Sequence, residues 1–115
     1  MTTPERGELW YANLDPVRGH EQAGHRPVLI ISATQFNQGP AGLAIVVPLT
    51  TRDRGIYYHV AIEPDEGGVS RQSMIKCEDL RSIDQRRLTR RLGAVADSTM
   101  AAVEKKLRAL LVLHD

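Results

Sequence analysis

The 115-residue sequence contains one cysteine, Cys77, which excludes an internal disulfide and a cage of thiolate metal ligands. Its position between Ile75 and Leu80 suits packing better than reactivity. One tryptophan, one phenylalanine and three tyrosines are too few for the aromatic groove of a peptide-binding module. No apolar run approaches the ~20 residues that span a bilayer, and MTTPERGELW has neither the apolar core nor the cleavage pattern of a signal peptide. The expectation is a cytoplasmic protein with no membrane contact. The net charge of +1 does not by itself point to nucleic acid, so any grip on phosphate must come from local clusters. The motifs GxxxxGK[ST], GxSxG, HExxH and paired CxxC are absent, so any chemistry must come from scattered groups. Repeats, low-complexity segments and Pro/Ser-rich linkers are absent too, and residues 1–115 read as a single domain.

What is present is a series of short β-rich runs followed by one helix. Residues 7–14, GELWYANL, alternate with Leu9 and Tyr11 on one face and Trp10 and Ala12 on the other. Residues 15–25, DPVRGHEQAGH, form a long polar loop. Residues 26–32, RPVLIIS, and 43–50, LAIVVPLT, are apolar on both faces, as central strands are. Pro48 is expected to end the second run or to mark a bulge. Between them, TQFNQGPAG reads as a turn with room for one helical turn. Residues 56–63, IYYHVAIE, alternate; 70–80 and 81–84 supply one or two further strands; 84–95 read as a helical turn and then a strand. Met100, Val103, Leu107, Leu110 and Leu111 then recur at spacings of three and four, which predicts a helix of about 16 residues with Asp97 as N-cap and Lys105, Lys106 and Arg108 facing away. This order implies a mainly β protein with a C-terminal helix, a small and strongly curved antiparallel sheet or barrel.

Among polar groups, Arg26 is the most informative. It opens a buried strand at the end of a loop, where Pro27 fixes the backbone, and a rigid guanidinium there suits bidentate phosphate binding as well as it suits a surface ion pair with Glu21. Thr50 and Thr51 end the next buried run, and Thr50 comes near Arg26 if the two runs are neighbours. His20 and His25 share the loop and could move protons, although solvated loop histidines have the same appearance. His59, within a strand, reads as structural. Arg86, Arg87, Arg90 and Arg91 form the one dense basic cluster, which reads first as a solvated face and second as a contact to RNA or an acidic partner segment.

Together, RGELWYANLDPVRGHEQAGHRPVLIIS, VVPLTTR and SMIKCEDLRSIDQRRL resemble, in order, three signatures of the MazF/PemK family of toxins. These include a G-x-R-P-V core from Gly24 and an Arg81-x-x-Asp84 step. The resemblance runs from about Arg6 to the final helix. One departure is Asp79, where the family commonly has glutamine; it bears on RNA sequence choice rather than fold. The resemblance implies an SH3-like barrel of five to seven strands and a homodimer with single-stranded RNA in a groove at its interface. It also implies a MazE-like antitoxin that blocks that groove, and cleavage without metal or cofactor to 2′,3′-cyclic phosphate and 5′-hydroxyl ends. It places catalysis on Arg26 and Thr50, and substrate contact on Glu21, Gln22, His25 and Ser73. The alternative is a non-catalytic toxin of the same barrel that binds DNA gyrase, in which Arg26 and Thr50 would be structural.

Overall fold

A computed structural model describes residues 2–15, 19 and 24–114. His20, Glu21 and Gln22 therefore lie outside the described residues. The chain forms β1 (Glu8–Asn13), β2 (His25–Ile30), a single helical turn α1 (Thr34–Asn37), β3 (Leu43–Thr50), β4 (His59–Ile62), β5 (Ser73–Lys76), β6 (Arg81–Asp84), β7 (Leu88–Ala94) and the helix α2 (Asp97–Leu111). All seven strands join one antiparallel sheet in the order β4-β5-β3-β2-β1-β7, with β6 on β3.

The doubly apolar runs are indeed central. Side chains of β1, β2 and β3 alternate between two buried clusters. On one face Leu9, Leu29, Val47, Leu49 and Ile75 pack with Val103 of α2. On the other, Trp10, Ala12, Val28, Ile30 and Val46 pack under Ile83 and Leu88. Each buried Leu or Ile contributes about 1.5–3 kcal/mol of apolar burial, so the two clusters dominate the fold's stability.

Pro48 neither ends β3 nor bulges it. It pairs with Val28 inside the strand, at the point where β3 exchanges β6 (Leu43 to Val46) for β5 (Leu49 and Thr50). A residue without an N–H is tolerated where the ladder changes partner. The run 56–63 yields a strand only from His59: Ile56 and Tyr57 are exposed, and the His59 N–H donates to the Ile56 carbonyl in a turn.

In α2, Ala96 rather than Asp97 occupies the N-cap, and no side chain of the helix itself caps it. Glu66 does so from a 3₁₀ turn: its Oε2 accepts from the Ala96 N–H at 3.1 Å and from the Thr99 hydroxyl at 2.5 Å. A carboxylate there satisfies orphan donors and complements the helix dipole. Lys106 does not simply face away, since its ammonium sits 3.4 Å from the Tyr57 ring centroid. Leu111 is 47% exposed, so the apolar stripe is buried only at its centre.

Candidate active site

The β2–β3 pairing fixes the site. Its last pair is Val28 with Pro48, and the same register carried two residues on sets Arg26 opposite Thr50. Thr50 in turn pairs with Met74, beside Ser73 on β5. Arg26, Thr50 and Ser73 thus line one cleft of about 480 Å³, together with Tyr11, Arg71 and Arg90 among others.

Each group is held by local geometry. Arg26 Nη1 donates to the Leu49 carbonyl at 3.4 Å, a long bond that keeps the guanidinium along the strand end. The Thr50 hydroxyl oxygen accepts from the Arg52 N–H at 3.2 Å, which leaves the hydroxyl geometry able to donate outward. Ser73 is buried, and its hydroxyl donates to the Arg71 carbonyl at 3.0 Å.

His25 is not on this cleft. One residue before Arg26, at the start of β2, it lines a second cleft of about 470 Å³ with Asn13, Asp15, Asp84, Arg86, Arg87 and Thr89. The second cleft is closely tied internally. Arg86 grips Asp84 through both carboxylate oxygens, which holds that carboxyl down at about 2. Arg87 donates to the carbonyls of Asn13 and Asp15.

The basic cluster is therefore four residues with different tasks. Arg91 pairs with the buried Glu8 at 2.6 Å, and Arg90 lies over the Tyr11 ring in the first cleft, 5.2 Å from its centroid. Tyr11 and Arg71 are cleft residues that the sequence did not single out, and Arg90 is the member of the basic cluster that reaches this cleft. Tyr11 and Arg90 lie 79 positions apart and meet only through the β1–β7 register. Arg81 of the Arg81-x-x-Asp84 step is structural, donating to the Leu14 carbonyl at 3.2 Å. His59 is structural as well, its Nε2 2.9 Å from Glu78. Cys77 is fully buried; desolvation, aided by the nearby Glu78 charge, pushes its thiol up to about 11. Among the described residues, no three His, Cys, Asp or Glu side chains are grouped to hold a metal ion. No helix among them is long and apolar enough to cross a membrane.

Residues 5–111 match the family model described as PemK-like, MazF-like toxin of type II toxin–antitoxin system. The chain is similar to endoribonuclease PemK of Escherichia coli, with 37% identity over 93% of this chain and 81% of that protein. It is similar in structure to MazF of Deinococcus radiodurans in its crystal Form-I, with a TM-score of 0.86 and 32% identity over 97% of this chain and 99% of that one. A MazE–MazF crystal structure (Form-II) from the same organism superposes with a TM-score of 0.81 and 34% identity over 99% and 100% of the two chains. These relatives do not favour the gyrase-binding alternative. The chain belongs to the PemK-like, MazF-like toxins of type II toxin–antitoxin systems.

Proposed function

We propose that this chain is a cytoplasmic, single-domain endoribonuclease toxin that cleaves single-stranded RNA without a metal or other cofactor, and that Arg26 and Thr50 are its catalytic residues. The observation that carries the reading is the convergence of the Arg26 guanidinium and the Thr50 hydroxyl on one cleft, flanked by Arg71 and Arg90, in a chain whose relatives are named endoribonucleases.

RNA carries its own nucleophile. The 2′-oxygen attacks the adjacent phosphorus, its proton passes to a base, and the P–O5′ bond breaks as the departing 5′-oxygen takes up a proton. The products are a 2′,3′-cyclic phosphate and a 5′-hydroxyl. The protein has to align the phosphate, stabilise its equatorial oxygens and move two protons. Arg26 clamps the phosphate and donates to the leaving oxygen; Thr50 donates to a non-bridging oxygen. A guanidinium is a poor base, because neutralising one at pH 7 costs about 8 kcal/mol. Of the two candidate bases for the 2′-hydroxyl, Glu21 keeps the role, because His25 opens on the other cleft. Glu21, Gln22, His25 and Ser73 contact the substrate, with His25 doing so from the neighbouring cleft.

The MazE–MazF relative supports a MazE-like antitoxin as partner, and a homodimer with the RNA groove at its interface completes the proposed assembly. The test is to incubate the purified protein with long single-stranded RNA in EDTA, beside Arg26→Ala, and map the ends. Discrete cuts that leave 5′-hydroxyl ends and vanish in the variant support the reading. No cuts at any protein concentration would sink it, and gyrase binding would be assayed next.

A further inference from the structure

Tyr11 has no task in the chemistry just described, yet it lines the same cleft as Arg26 and Thr50. Cross-strand pairing sets Arg90 of β7, Tyr11 of β1 and Pro27 of β2 in one row. Neighbouring strands are about 5 Å apart, so the row is a floor roughly 10 Å wide. Pro27, Tyr11 and Arg90 line the same cleft as Arg26, which puts that floor beside the guanidinium assigned to the phosphate.

The β1–β7 ladder is irregular at this point. Its register shifts between Leu9 and Trp10 and again between Tyr11 and Ala12, so two irregularities bracket the Trp10–Arg91 and Tyr11–Arg90 pairs. Bulges re-aim side chains and are enriched beside active sites. Here they set two adjacent arginines to different work. Arg91 closes on Glu8 with Nε 2.6 Å from the carboxylate, whereas Arg90 has its Cζ 5.2 Å over the Tyr11 ring.

We propose that Tyr11, backed by Arg90 and Pro27, is the stacking platform for a nucleobase flanking the cleaved phosphate. The inference rests on the ribonuclease reading and adds to it a substrate-positioning group. Proteins hold unstacked bases of single-stranded RNA on aromatic rings and guanidinium planes, and every base has a π-face to offer. A phenol ring with a cation over it and a pyrrolidine beside it offers such a surface. The cleft's arginines supply charge for the backbone on either side. The platform provides affinity and register; base identity is read elsewhere.

The test uses a short RNA spanning the mapped cut site, with a 2′-deoxynucleotide at the cleaved linkage so that it binds without reacting. Companion RNAs carry an abasic nucleotide on one side of the linkage or the other. The wild type is expected to bind one of the abasic RNAs about 5- to 100-fold more weakly than the intact RNA. Tyr11→Leu should lose affinity for intact RNA by a similar factor and no longer distinguish it from that abasic RNA. Tyr11→Phe should stay near wild type, and on cleavable RNA the Tyr11→Leu loss should fall on KM rather than kcat. Equal binding of all three RNAs by the wild type overturns the inference without any variant. So does a Tyr11→Leu protein that still discriminates. If RNA is cut in an Arg26-dependent manner but the abasic RNAs bind normally, the platform alone is wrong. If RNA is neither cut nor bound, the ribonuclease reading falls with it.

Discussion

Arg26 and Thr50 line one cleft at the ends of β2 and β3, each two residues past the Val28–Pro48 pair where the ladder between these strands ends. Beyond that point the strand ends spend fewer backbone groups on each other. A guanidinium and a hydroxyl there can turn toward a shared phosphate while the buried runs behind them hold their positions.

Thr50→Val keeps the β-branched shape and removes the hydroxyl. Losing one preorganised donor typically costs about 10²–10³-fold in rate, so cleavage should fall by about that much. The urea midpoint should shift little, since the lost partner is only the Arg52 N–H at an exposed turn. An unchanged cleavage rate would remove Thr50 from the mechanism.

Gly68 lines the same cleft with φ of +88°, and a Cβ there would lie 2.4 Å from the Leu92 carbonyl oxygen. Both the backbone region and the clash oppose any side chain. Gly68→Ala should cost about 2–3 kcal/mol, seen as a thermal midpoint lower by more than about 5 °C.

Glu8 sets an acid limit on stability. Burial raises its carboxyl, but hydrogen bonds from Arg91, the Glu5 N–H and the Trp10 indole outweigh that and leave it below its ordinary 4.5. A depressed carboxyl means that the unfolded chain binds more protons in this range. The stabilisation is therefore complete above about pH 4.5 and is lost as pH falls through the folded value. Glu8→Gln should lower stability at pH 7 by about 1–3 kcal/mol and flatten the fall of stability below about pH 4.5. Urea unfolding against pH checks both. Parallel curves for the two proteins would contradict the assignment.

Cys77 should resist alkylation in the folded protein. A thiol moved from 9.0 to about 11 and fully buried has a thiolate fraction about 100-fold below that of a free cysteine near neutral pH. Iodoacetamide should label it slowly in buffer and rapidly in urea.

Features written in local pattern were legible in the sequence. The apolar run 43–50 is β3 to the residue, and the three-and-four spacing from Met100 locates α2. Arg26 and Thr50 came into view because each ends a buried run, so adjacency of two strands was enough to bring them together. What depended on distant parts of the chain was not legible. Glu66 caps α2 from 30 positions away, which displaced the expected Asp97 cap. The four arginines looked alike until strand alternation and the β1–β7 irregularities assigned Arg86 to Asp84, Arg91 to Glu8 and Arg90 to Tyr11. His25 stands next to Arg26 in sequence but lines the other cleft, a division that depends on β7 and the Asp84–Arg87 segment far along the chain.

The most direct test of the central claim is the rate at which Arg26→Lys cleaves single-stranded RNA in EDTA, measured beside the wild type. A lysine keeps the charge but lacks the planar fork that engages two phosphate oxygens. The account predicts discrete cuts by the wild type and a loss of about 10²–10³-fold in the variant, nearly as large as for Arg26→Ala. A variant that cuts at close to the wild-type rate would contradict it.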